Sequence, residues 1–300
     1  MIKKRKTFSL GIDLGGIKTE GVVLDKDLKV LFRKRIPTQK EKGYEHLIKD
    51  IAFLYDEMVD LIDNKAHTFG IGTSGSISKK TGFIKNSNLA ILNSTPFIQD
   101  LEKAINRKVA WQNDSNCFVL AEANFGAGKG KKRVFGAIMG SGIGGGMIFD
   151  GKLIDGLQSL AGEWGHSIIS SYGPQCHCGK IGCIETFISG PSVERKYKEM
   201  FEEEISMQEI VKRYRLGDEK SRIIMSEFFL YFGKSVSNLI AILDPEIIIL
   251  GGGLSNIDEL YTIGLNKVKD FVFNDELTTP IVRNKCGDSA GVLGAALIGE

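Results

Sequence analysis

The chain has 300 residues, 42% hydrophobic and 25% charged, enough to bury a large core and to build about two globular domains. Its 39 basic and 37 acidic side chains leave a formal net charge of +2, which gives no support to nucleic-acid binding. No apolar run reaches about 18 residues, so no membrane span is expected; MIKKRK looks like the start of a signal peptide, but Asp13 interrupts the apolar stretch behind it, and the expectation is a cytoplasmic chain without a leader.

In chain order, residues 8–13 and 19–24 read as two strands joined by the glycine turn LGGIK, with another strand over 28–35. Apolar residues at Leu47, Ile48, Ile51, Leu54, Tyr55, Met58, Val59 and Ile62 recur at helical spacing and predict a helix over 44–63. Residues 67–77 read as a strand ending in a Gly/Ser turn, 97–106 as a short helix, and 107–111 as a strand leading into Asn113-Asp114. The second half repeats the theme, with strands at 133–139 and 146–150 around GSGIGG and helices at 205–215 and 222–243. The latter helix should stop at Asp244-Pro245, because proline cannot continue it. A buried strand at 246–250 then feeds three glycines and a helix from about Ser255, and the tail from Asp288 reads as a closing helix with Asp288 near its N-cap. Two halves that each open strand, glycine turn, strand suggest an internal duplication. The expected lobes are 1–115 and 116–287, with the closing helix 288–300 returning to the first.

Glycine turns let backbone N–H groups approach a phosphate without obstruction. The candidates are Gly15-Gly16, the run from Gly140 to Gly146, and Gly251 to Gly253; any one alone is more often a plain turn. Gly140-x-Gly142-x-x-Gly145 matches the dinucleotide fingerprint by letter, but strand and turn follow it where that motif needs a helix. GAGKGKK (126–132) lacks the first glycine and the hydroxyl residue of a P-loop, so it reads as an exposed basic loop. The turn at 251–253 differs, since a helix N-terminus behind it could face the polar part of a nucleotide.

Of the five cysteines, Cys176, Cys178 and Cys183 lie together in CHCGKIGC, while Cys117 and Cys286 stand apart as ordinary thiols. Three thiolates with one imidazole make a closed tetrahedral zinc set, hence a structural one. Spacing leaves open whether His166 or His177 completes it, although His177, between two ligand cysteines, should point away. Glu163 and Glu185 flank this loop, and carboxylates suit the recognition of paired hydroxyls. Asn113-Asp114 follows a strand end, where an aspartate can serve as general base.

These segments resemble the ROK family of sugar kinases and repressors over nearly the whole chain. GIDLGGIKTEGVVLD and GSGIGGGMIFDGKL are similar to its two phosphate motifs, QNDSNC to its Asn-Asp segment, LAGEWGH and CHCGKIGCIETFISG to its sugar and zinc signatures, and DPEIIILGGGLSN to its adenosine motif. The resemblance implies an α/β, actin/hexokinase-like (ribonuclease H-like) fold of two lobes with a cleft between them. It implies Asp114 as general base and sugar contacts from Asn88, Asn113, Asp114, Glu163, His166 and Glu185. Nucleotide contacts would come from Gly15, Gly16, Lys18, Thr19, Gly140, Ser141, Gly142, Gly144, Gly251, Gly252 and Gly253. Zinc would be held by His166, Cys176, Cys178 and Cys183, which favours His166 over His177.

One departure stands out: Gly72-Thr73-Ser74-Gly75 replaces the usual Gly-x-Pro-Gly, which should loosen that turn. GEWGH, CIETFISG, FVFNDELTTP and GDSAGVLGAA look most like the bacterial fructokinase branch that also accepts mannose, with the N-acetylglucosamine kinases and glucokinases as neighbours. The expectation is therefore ATP- and Mg2+-dependent phosphorylation of fructose, and also mannose, at the primary hydroxyl by a homodimeric enzyme that needs neither nucleic acid nor membrane. A sugar-responsive repressor is disfavoured, since only ten residues precede the motif that begins at Gly11.

Overall fold

The computed structural model describes residues 7–299. By internal contacts it divides into two units. The first comprises the described residues through Ala121, Asp155–Ser159 and those from Cys286 on; the second comprises Glu122–Ile154 and Leu160–Lys285.

In the first unit, β1 (Phe8–Leu14) and β2 (Lys18–Leu24) form a hairpin that β3 (Val30–Pro37) extends. The helix α1 (Tyr44–Leu61) buries Leu47, Ile48, Ile51, Leu54, Tyr55 and Met58 along one face, the stripe its spacing predicts. Next come β4 (His67–Thr73), the small hairpin β5 (Ser76–Ile77) and β6 (Ile84–Lys85), α2 (Phe97–Ile105) and β7 (Ala110–Asn113). The strand expected at 107–111 starts later, and its last residue abuts α3 (Asp114–Asn124). The five-stranded sheet runs β3-β2-β1-β4-β7, antiparallel across β3, β2 and β1 and parallel across β1, β4 and β7.

In the second unit, β8 (Val134–Met139), β9 (Ile143–Phe149) and β10 (Lys152–Leu153) make the corresponding meander. The strand expected from 146 begins at Ile143, so Gly144, Gly145 and Gly146 lie inside it. A short α4 (Glu185–Ile188), then α5 (Gly190–Phe201), α6 (Met207–Arg215) and α7 (Glu219–Leu243) follow. Ser189, Ser206 and Asp218 cap α5, α6 and α7 by accepting backbone N–H groups with their side chains. Asp244, left-handed at φ 41°, ends α7 directly before Pro245. Then β11 (Ile247–Gly251) leads into 3-10 turns at Gly253–Asn256 and Asp258–Tyr261. The helix expected from Ser255 therefore begins only at α8 (Ile263–Phe271), followed by β12 (Ile281–Arg283). The sheet order is β10-β9-β8-β11-β12, with the same succession of antiparallel and parallel pairs. Phe135, Tyr197, Phe228, Phe229 and Phe232 anchor its core.

The last helix, α9 (Ala290–Leu297), packs on the first sheet. Its glycine and alanine content lets it lie close: a Cβ on Gly11 of β1 would fall 2.3 Å from the Ala296 nitrogen. Its cap position is Ser289, which makes no side-chain capping bond, and Asp288 lies one residue before it, in the 3-10 turn Gly287–Ser289, near the cap as expected. Among the described residues, no helix is long and apolar enough to cross a membrane.

Candidate functional site

In the first unit, the turn at 15–17 closes with the Gly15 N–H donating to the Lys18 carbonyl at 3.0 Å. Nothing lies within 4 Å of a Cβ placed on Gly16, so this turn faces open space. Thr19 is turned inward, its hydroxyl 2.8 Å from that of Thr38, while Lys18 stays half-buried.

Asp114 opens α3 beside the end of β4, to which β7 pairs through Thr73 and Asn113. Its carboxylate accepts the Ser115 N–H at 2.8 Å; burial pushes its pKa up, and the Ser115 bonds partly offset that. Asn113 is tied at both ends: its amide donates to the Gly75 carbonyl at 3.0 Å, and its side-chain oxygen accepts from Ser115 N–H at 2.8 Å. Asn88 is exposed, on a loop whose backbone meets Ser74.

One acid escaped the sequence reading. Asp13, at the end of β1, has its carboxylate against the first turn of α9, where a Cβ on Gly291 would lie 2.4 Å from Oδ2. Burial, then the charge of Asp114 and that of Glu20, push Asp13 up to about 7. Its signal in the sequence was an acid inside an apolar strand directly before a glycine turn.

In the second unit, the turns after β8 and β11 are neighbours, because these strands are parallel partners with Gly251 opposite Ile138. A Cβ on Gly140 would lie 3.8 Å from the Gly253 nitrogen. Gly252 takes φ +78°, and a Cβ there would sit 2.4 Å from the Met139 carbonyl oxygen, so only glycine fits. Ser141 is exposed at the tip of the first of these turns. The Gly190 N–H donates to the Gly140 carbonyl at 2.9 Å, which sets the N-terminus of α5 beside the turn. Helix N-termini favour anions, and this one was not legible beforehand. Gly144 and Gly145 serve packing as well: Trp164 Nε1 donates to the Gly144 carbonyl at 2.7 Å, and a Cβ on Gly145 would meet Phe135 at 2.7 Å.

That tryptophan bond anchors the 3-10 turn Trp164–His166, with exposed Glu163 just ahead of it. Bridges Ile168 to Cys183 and Gln175 to Ile181 fold the cysteine loop back on itself. His166, Cys176, Cys178 and Cys183 gather with all ligand atoms within 4.8 Å of one another. Cys176 Sγ is 3.5 Å from His166 Nδ1, and Cys178 Sγ is 3.6 Å from Cys183 Sγ. Metal–sulfur bonds of about 2.3 Å at tetrahedral angles place ligand atoms about 3.8 Å apart, so this donor set fits zinc. His177 instead turns to Glu185, its Nδ1 3.2 Å from Oε1. The other oxygen of Glu185 accepts the Ile143 N–H at 2.8 Å, so this acid touches the glycine turn too.

Two α/β units with one repeated sheet topology, each with a glycine turn in its first hairpin, define the actin/hexokinase-like class. The same fold occurs in a ROK hexokinase from Thermus thermophilus, with a TM-score of 0.90 at 30% identity over 98% of both chains. The ROK family model matches residues 9–300, and the chain belongs to that family. Curated relatives include the N-acetyl-D-glucosamine kinase of Pasteurella multocida, 35% identical over 96% of this chain and 98% of the relative. Another is the N-acetyl-D-glucosamine kinase of Pectobacterium atrosepticum, 34% identical over 96% and 97%.

These relatives correct the reading of the branch, which is not that of the fructokinases. Of the four segments used to choose it, GEWGH and CIETFISG carry Glu163, His166, Cys183 and Glu185, while FVFNDELTTP and GDSAGVLGAA lie around β12 and α9. Nothing in the geometry of these groups separates one acceptor from another.

Proposed function

We propose that this chain transfers the γ-phosphoryl group of ATP to the primary hydroxyl of N-acetyl-D-glucosamine. It is an ATP-dependent sugar kinase by family and by relatives aligned over nearly its full length. The acceptor rests on one observation: similar curated relatives, at 32 to 35% identity, carry that sugar in their names.

Asp114 is the general base. Its carboxylate takes the hydroxyl proton as the sugar oxygen bonds to the γ-phosphorus, and the bond to the bridging oxygen breaks to release ADP. Its partial burial raises its pKa and so makes it a stronger proton acceptor than an exposed carboxylate. In the same unit, Asn88 and Asn113 orient the sugar, while Gly15, Gly16 and Lys18 meet the phosphates; Thr19, bonded inward, supports that turn. In the second unit, Glu163, His166 and Glu185 accept and donate to sugar hydroxyls. The turns at Gly140, Ser141 and Gly142 and at Gly251, Gly252 and Gly253 offer backbone N–H groups to the nucleotide, with Gly144 as packing support.

Zinc would be held by His166, Cys176, Cys178 and Cys183, and it would fix the loop from which Glu163 and Glu185 project. The half-buried acid Asp13, raised partly by the charge of Asp114, would hold the Mg2+ that accompanies ATP, which would neutralise charge on the phosphates when bound.

A coupled ADP-release assay tests the proposal with N-acetylglucosamine, N-acetylmannosamine, glucose, mannose and fructose. The highest kcat/KM is expected on N-acetylglucosamine. A preference for glucose would keep the kinase and move the acceptor toward that of a hexokinase. Silence on every sugar, from folded and metal-loaded protein, would overturn the reading.

A further inference from the structure

We infer that Ser74 and Ser87 form a hydroxyl clamp that positions the acceptor-sugar loop, an inference that rests on the sugar-kinase reading. Ser74 follows β4, directly after the residue that pairs with Asn113. Its hydroxyl lies 2.9 Å from that of Ser87 and accepts the N–H of Asn88 at 3.1 Å. Ser87, 7% exposed, also accepts the Leu89 N–H at 3.1 Å. Asn93 holds Ser87 from behind in both directions, accepting its N–H at 2.8 Å and donating to its carbonyl at 3.0 Å.

The two segments meet at backbone distance. Gly75 takes φ +98°, and a Cβ there would fall 2.7 Å from the Lys85 carbonyl and 3.0 Å from the Ser87 backbone. The Gly75 carbonyl in turn accepts the Asn113 side-chain amide at 3.0 Å. A continuous chain of bonds thus runs from the Asn88 backbone through Ser74 and the Gly75 peptide to Asn113, beside Asp114. Asn88 is exposed and belongs to no helix or strand, so its place relative to Asp114 depends on this clamp. The turn that lacks a stiffening proline is held by two side-chain hydroxyls instead. Ser74 and Ser87 are positioning residues: they act on the sugar through Asn88 and Asn113.

The test compares wild type with Ser74→Ala, Ser87→Ala, the double variant and Ser74→Thr, which keeps the hydroxyl. Steady-state kinetics against N-acetylglucosamine and amide hydrogen exchange over residues 84–90 are measured on each. Each alanine should raise sugar KM roughly ten-fold with kcat and the KM for ATP within about two-fold, as expected for one or two lost hydrogen bonds. The double variant should cost less than the sum of the singles, because both remove the bond between the two hydroxyls, and Ser74→Thr should restore KM. Exchange at Asn88 should quicken in the alanine variants. Unchanged sugar KM and unchanged exchange in Ser74→Ala, with an active wild type, would overturn the clamp. A wild type inactive on every sugar would instead sink the kinase reading, and the exchange data would still decide whether the hydroxyls hold the loop.

Discussion

The sheets β3-β2-β1-β4-β7 and β10-β9-β8-β11-β12 repeat one strand order and one pattern of neighbours, yet their strand ends carry different chemistry. At the end of β7 comes Asp114, a half-buried carboxylate bonded to its own neighbour Ser115. At the equivalent end of β12 comes Asn284, whose amide closes on the Leu250 carbonyl at 3.1 Å and on Ser255 Oγ at 3.3 Å. The glycine turns differ likewise: Gly16 faces open space, whereas Gly252 is pressed on the Met139 carbonyl. A repeated frame leaves its strand ends free to diverge, because loops there do not contribute to the packing between strands. One unit ends its strand in a carboxylate, and the other presents a close-packed glycine turn and a loop in which His166, Cys176, Cys178 and Cys183 gather.

The sharpest way to break this comparison is at its two strand ends. Asp114→Asn should lower kcat by about 10^3-fold with sugar affinity kept within a few-fold, whereas Asn284→Ala should cost stability and leave kcat nearly intact. Equal losses of kcat would erase the distinction between the units. Next in size is the loss of any metal held by His166, Cys176, Cys178 and Cys183. Stripping it with a chelator should weaken sugar binding at least ten-fold, read by calorimetry, because Glu163 and Glu185 both depend on that loop. Unchanged affinity in verified metal-free protein would assign the loop a purely structural part.

Glycine variants sharpen the contrast between the turns. Gly162, at φ +92°, would place a Cβ 2.2 Å from the Gly145 carbonyl, so Gly162→Ala should destabilise the fold by about 2–4 kcal/mol in denaturant titrations. Gly16→Ala, with nothing near its Cβ, should change stability by less than about 0.5 kcal/mol and show itself in the KM for ATP.

Asp13 sharpens the comparison through pH. In the folded chain its pKa of about 7 stands above the ordinary 3.8, so between those values the native state holds a proton that the unfolded chain has lost. Stability from this group therefore falls as pH rises from about 4 to 7 and is flat above. Asp13→Asn should be more stable than wild type by on the order of 1–3 kcal/mol at pH 8, with the gap closing toward pH 4. A constant gap across that range would refute the burial argument. In the wild type, kcat/KM should fall as pH drops below 7, where Asp13 takes up its proton.

Local chemistry by itself determined much of this protein. The stripe of α1, the hairpin β1–β2 and the stop of α7 at Asp244-Pro245 were legible because each depends on neighbours a few residues apart. The CHCGKIGC cluster was legible because metal ligation needs soft donors at short spacing. Other features required the folded chain. The helix α3 buries Cys117, Phe118, Val119 and Ala121 around its circumference and so shows no stripe. The start of β9 hid behind glycines that exist for close packing against Trp164 and Phe135. Asp13 becomes a perturbed acid only when α9 covers it from the far end of the sequence. Ser74 read as a loosened turn, but the hydroxyl of Ser87 and the N–H of Asn88 reach it through folding alone, since desolvation and hydrogen bonding between distant segments have no spacing to betray them.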